Sequence, residues 1–157
     1  MEDKLKVLIV EDEGTIYSMI KEQMNQDEYE FVRARNVSEA IDVYEQSQEE
    51  GEKPFDCYVV DLQIDSSGLT EQEMSDFYKR EGYAWMKNYI FNSSDKRMND
   101  SEKLNFKKKT IICSKYVSAF EKEYSSRELN GLELISKKPY FEEEVKNMIT
   151  KICKKSK

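Results

Sequence analysis

Val7-Leu8-Ile9-Val10 is an unbroken apolar run that stops at once on Glu11-Asp12-Glu13-Gly14. A short apolar run without polar alternation is what a strand covered on both faces requires. Lys4 to Val10 is therefore expected to be a strand buried in the middle of a sheet, with acid at its carboxyl end. The same pattern recurs along the chain. Phe55 to Val60 reads as a strand running into Asp61, Thr110 to Cys113 as one running into Ser114, and Leu132 to Ser136 as one running into Lys137, Lys138 and Pro139. Tyr29 to Ala34 completes the set as a short second strand.

Between these runs the apolar spacing changes from strand-like to helical. Ile16, Met19, Ile20 and Met24 fall on one face, which predicts a helix from Thr15 to about Asn25. Val37, Ala40, Ile41 and Tyr44 repeat that spacing, and Gly51 with Pro54 closes the segment. Phe141, Val145, Met148, Ile149, Ile152 and Cys153 form the clearest stripe, so the chain is expected to end in a helix. Strands alternating with helices imply parallel crossovers and a sheet covered on both sides, an α/β architecture. At 157 residues the chain fits one domain, spanning 1–157.

Two connections are longer than this architecture needs, Gln63 to Gly82 and Asn92 to Lys109. In the first, Thr70 and Glu73 have capping-box spacing, with Met74, Phe77 and Tyr78 following at helical intervals. Gly82 is read as a break before a main helix from Tyr83 to Phe91. The polar run Asn92 to Arg97 in the second is read as a solvated loop.

Composition removes several classes of function. A net charge of −7 argues against direct nucleic-acid binding, which needs a basic footprint. Lys151, Lys154, Lys155 and Lys157 are read as cations complementing the end of the last helix. No apolar run approaches the roughly 20 residues of a membrane span, and Met1-Glu2-Asp3-Lys4 lacks the order of a secretory signal. A cytoplasmic protein without membrane insertion is expected. Without histidine there can be no histidine phosphocarrier and no Ser-His-Asp triad. Cys57, Cys113 and Cys153 are widely spaced among apolar neighbours and read as buried small hydrophobes.

In an open parallel sheet, ligands bind beyond the carboxyl ends of the strands. Glu11 and Asp12, Asp61, Ser114 and Lys138 would all stand on that one rim. Carboxylates gathered there repel one another unless a cation joins them. Magnesium suits such oxygen ligands and leaves coordination positions for phosphate.

These motifs together resemble the response regulator receiver domains (CheY-like) of two-component signal transduction. The residues that carry the resemblance are Val7-Leu8-Ile9-Val10-Glu11-Asp12-Glu13, Tyr58-Val59-Val60-Asp61-Leu62, Ile111-Ile112-Cys113-Ser114 and Lys138-Pro139, with Gly82-Tyr83-Ala84-Trp85-Met86 like the start of the family's third helix. The resemblance covers nearly the whole chain. It implies a flavodoxin-like (βα)5 doubly wound parallel sheet in strand order 2-1-3-4-5, here with extended connections on either side of the third helix, between the third and fourth strands. It also implies a phosphoacceptor in a phosphorelay rather than an enzyme. Asp61 would form the aspartyl phosphate, and Mg2+ would be held by Asp12, by Asp61, by Glu11 through water and by the backbone carbonyl of Gln63. Ser114 would hydrogen-bond a phosphoryl oxygen and Lys138 would pair with another. The implied partners are a sensor histidine kinase or histidine phosphotransfer protein and a downstream protein target, with a homodimer as a further assembly open to the fold. With no output region after the last helix, signalling is expected to run through partner binding.

The sequence departs from the family pattern at several places. Ile64-Asp65 stands where a methionine-proline pair is usual, and an acidic stretch through Glu71, Glu73 and Asp76 follows. Lys115 replaces the small residue usual after the switch hydroxyl, and Ile135 replaces the switch aromatic three residues before Lys138. Tyr116 and Tyr140 are read as edge tyrosines within reach of a partner. The alternative to a phosphorylatable receiver is a degenerate one, acting as a phosphorylation-independent interaction module. A phosphatase of the haloacid dehalogenase type would want an acid two residues after Asp61, and Gln63 occupies that place.

Overall fold

In a computed structural model, residues 4–35, 39–40, 42–43, 46, 55–61, 107–114, 121 and 131–155 are described. Five strands form one sheet: β1 (Leu5–Val10), β2 (Tyr29–Ala34), β3 (Cys57–Val60), β4 (Thr110–Ser114) and β5 (Glu133–Ser136). All pairings are parallel and the order is β2-β1-β3-β4-β5. The expected architecture is therefore the observed one. Helices α1 (Gly14–Glu22) and α2 (Phe141–Lys155) are complete. Glu39, Ala40, Asp42, Val43 and Gln46 are also helical, in the segment where Val37 to Tyr44 predicts a helix.

The register places the side chains in rows. Val10 pairs with Val60, Val60 with Ile112, and Ile112 with Leu134. Successive residues of a strand face opposite sides of the sheet. Leu5, Val7, Ile9, Cys57, Val59, Ile111, Cys113 and Ile135 accordingly share one core cluster with Ile20 and Met24 and with Phe141, Val145, Ile149, Ile152 and Cys153. That face lies under α1 and α2. The opposite face carries Leu8, Val10, Tyr58, Val60 and Ile112, all buried as well. Burial on both sides is why the central strands read as continuous apolar runs.

Helix α1 ends at Glu22, short of the expected Asn25, so Met24 packs from just beyond it, and one residue inside it departs from the predicted stripe. Ile20 and Met24 are buried, but Met19 is exposed, and Tyr17 packs against the core beside Ile16 instead. An isolated apolar residue at the edge of a stripe is free to face solvent, while a tyrosine on the other edge can cover the core with its ring. All three cysteines are free and buried, as their apolar settings predict. At the start of α2, Glu142, Glu143 and Glu144 occupy the first turn, where the helix dipole favours acid. No helix among the described residues is long and apolar enough to cross a membrane. The expected long connections, with the capping box at Thr70 and the helix from Tyr83 to Phe91, lie outside the described residues.

Candidate functional site at the carboxyl edge of the sheet

The rows that fill the core under α1 and α2 end in charge. Glu11 follows Ile9 by two residues and Asp61 follows Val59 by two, so each continues an apolar row one step past its strand. Backbone hydrogen bonds hold both at the sheet: the Glu11 amide donates to the Ala34 carbonyl at 2.9 Å and the Asp61 amide to the Val10 carbonyl at 3.0 Å. Both carboxylates are buried, at 3% and 7% exposure, while Asp12 is exposed. One oxygen from each of Glu11, Asp12 and Asp61 lies within 4.8 Å of the other two.

Such a cluster is costly unless a cation compensates it. Burial, and then the charge of Asp61, push the Glu11 carboxyl from its ordinary 4.5 up to about 8, although Lys137 pulls it the other way. A donor set made of oxygen alone, with Asp12 open to solvent, has the chemistry of a hard divalent ion such as Mg2+. The residues present therefore fit that group.

Lys137 also enters the cluster. Its Nζ donates to Glu11 Oε1 at 2.6 Å and to Asp61 Oδ2 at 2.7 Å. Burial alone would lower its pKa, but Asp61 and Glu11 together raise it, so it stays an ammonium. The Lys138-Pro139 motif points to the next residue, whose side chain the structure places elsewhere. Lys138 Nζ instead pairs with Glu144 at 3.4 Å, and its side chain is 63% exposed. The cause is pleat parity. Ile135 of β5 belongs to the core cluster under α2, and Lys137, two residues on, leaves the strand on the same side. Lys138 leaves on the other. The chain then turns, with the Phe141 amide donating to the Lys138 carbonyl at 3.1 Å and exposed Tyr140 at φ 67°.

Ser114 ends β4, fully buried, at the same edge of the sheet, and its carbonyl accepts the Lys137 amide at 3.1 Å. Cys113, next after the Ile112 that pairs with Val60, shares the core face of Val59 and Ile111; burial pushes its thiol up to about 12. Ile135 is a buried core residue. Gln63, Lys115, Tyr116 and the 64–81 stretch lie outside the described residues.

No family model and no curated protein matches the sequence. Solved structures match its fold over almost its full length. A sensor protein from Polaromonas sp. JS666 is 13% identical, covering 99% of this chain and 100% of its own, with a TM-score of 0.63. A Francisella response regulator receiver domain is 18% identical over 98% of this chain and 100% of its own, with a TM-score of 0.62. The non-phosphorylated HemR receiver domain from Leptospira biflexa is 21% identical over 96% and 94%, with a TM-score of 0.61.

Proposed function

The fold is that of the CheY-like response regulator receiver domains, and from that premise we propose that the chain is a phosphoacceptor switched by phosphorylation of Asp61. The observation that carries this reading is the convergence of Glu11, Asp12 and Asp61 from two strand ends, with the Lys137 ammonium 2.7 Å from the Asp61 carboxylate. In the reaction, an Asp61 carboxylate oxygen attacks phosphorus of a phosphohistidine, the P–N bond breaks and the imidazole leaves with its electron pair. The donor is a sensor histidine kinase or a histidine phosphotransfer protein, or a small phosphodonor.

Phosphoryl transfer asks a protein mainly for position and for charge stabilisation. Mg2+ bound by Glu11, Asp12 and Asp61, with the Gln63 carbonyl as a further ligand, would supply Lewis-acid neutralisation of phosphoryl oxygens. Lys137 does from the protein side what the sequence motif suggests for Lys138: its ammonium faces the nucleophile and remains to pair with a phosphoryl oxygen. Ser114, on the neighbouring strand, is the hydroxyl proposed to bind another oxygen and to relay the change toward a downstream protein target.

Mass spectrometry of the chain incubated with acetyl phosphate and Mg2+ tests the reading. One phosphoryl group is expected on the wild type and none on Asp61→Asn. A wild type that stays unmodified, with the same partners bound with and without phosphodonor, would leave the phosphorylation-independent module as the function.

A further inference from the structure

The loop that carries two of the carboxylates is tied down by a residue from another strand. Arg33 follows Tyr29 and Phe31 at two-residue steps along β2, which brings it to the α1 side of the sheet opposite Ile9. Its Nε donates to the carbonyl of Glu11 at 3.2 Å and its NH2 nitrogen to the carbonyl of Asp12 at 2.8 Å. The guanidinium carbon lies 5.7 Å from the centre of the Tyr17 ring on α1. The guanidinium also lies near the first turn of α1, one nitrogen standing 3.4 Å from where a Cβ on Gly14 would sit, an ordinary contact distance.

We propose that Arg33 is a positioning residue for the cation site, fixing the main chain of Glu11 and Asp12 so that their carboxylates meet Asp61. The inference rests on the phosphoacceptor reading and adds to it a residue outside the acidic cluster. The planar fork of arginine suits the task, because separate N–H groups reach two consecutive carbonyls while the face of the group rests on an aromatic ring. A lysine ammonium can keep the charge but cannot reproduce that fork. Partners that orient metal ligands commonly contribute 10- to 100-fold to affinity, roughly.

Charge and position make opposite predictions here. By Coulomb's law alone, removing a cation beside an acidic cluster should tighten divalent binding. A positioning role requires removal to weaken it. The full chain, stripped of metal, is titrated with Mn2+ while the electron paramagnetic resonance signal of the free ion is followed. Arg33→Gln is expected to weaken binding about 10-fold, with Arg33→Lys close to it despite the retained charge. Tyr17→Leu, which removes the ring under the guanidinium, should weaken binding less and provides a second variant if Arg33→Gln does not fold. Unchanged or tighter Mn2+ binding by the folded Arg33 variants overturns the positioning role and leaves the phosphoacceptor reading standing. A wild type that binds no Mn2+ and takes no phosphoryl group overturns both.

Discussion

Lys137 is the residue on which the electrostatics of the candidate site turn. It gives the buried carboxylates of Glu11 and Asp61 a shared counter-charge, and removing one partner of a buried ion pair leaves the other uncompensated. Lys137→Ala is therefore expected to lower stability by about 3 kcal/mol in chelator, with added Mg2+ recovering much of the loss. Lys138→Ala, which removes an exposed pair with Glu144, should change stability by under about 1 kcal/mol. Urea melts of the two variants with and without Mg2+ check both. Glu11 adds a dependence on pH. Its folded-state value near 8 stands above its ordinary 4.5, so the folded protein holds that proton more tightly and stability in chelator should fall as pH rises from about 4.5 to 8. Lys137 is raised above 10.5, so its own contribution is complete below that value and does not reverse the slope. Glu11→Gln should flatten the slope in thermal melts across that window; a slope unchanged by the substitution would assign it to other groups.

Among the elements, β5 shows where sequence reasoning loses its footing. The central strands announce themselves because both of their faces are covered, so every residue of Val7 to Val10 is apolar and every one is buried. Among the described strands β5 pairs only with β4, and it mixes Glu133, Ser136 and apolar residues, which leaves its facing ambiguous. The lysine before proline was the stronger textual cue, yet Lys137 could have been found by counting in twos from a buried Ile135. In α1 the stripe was legible at Ile16 and Ile20, with Met24 buried just past the helix end, and it failed at Met19 because spacing does not say how wide the covered arc is. Ile149→Ala in α2 should cost about 2–5 kcal/mol by opening a cavity in the shared core, while Met19→Ala should cost little. At the turn into α2, Tyr140 is held at φ 67°, a conformation a side chain disfavours by roughly 1–2 kcal/mol. Tyr140→Gly should therefore stabilise the protein modestly, as read by its melting temperature.

Across the whole molecule, the gathering of Glu11, Asp12 and Asp61 at one edge followed from strand ends alone, because parallel strands all deliver their carboxyl ends to the same side, whereas the sheet order came only with the family resemblance. Residues that act on that edge from outside it were not legible: Arg33 stands in a strand whose pattern gives no hint that its side chain reaches across to β1. Divalent binding to the folded state alone should add stability with the logarithm of the ligand excess, about 2.7 kcal/mol at a hundredfold excess over the dissociation constant, and raise the melting temperature accordingly. Asp61→Asn should reduce that response. The two-sided coverage of β1 and β3 has an evolutionary corollary. Inserting or deleting one residue in either strand would exchange two oily surfaces for one another, which the interior can accommodate far better than a half-wet sheet could, yet it would send the terminal acid to the wrong side. Descendants of such a chain would keep their shape while losing the acidic cluster at the sheet edge, and shape alone would not tell the two apart.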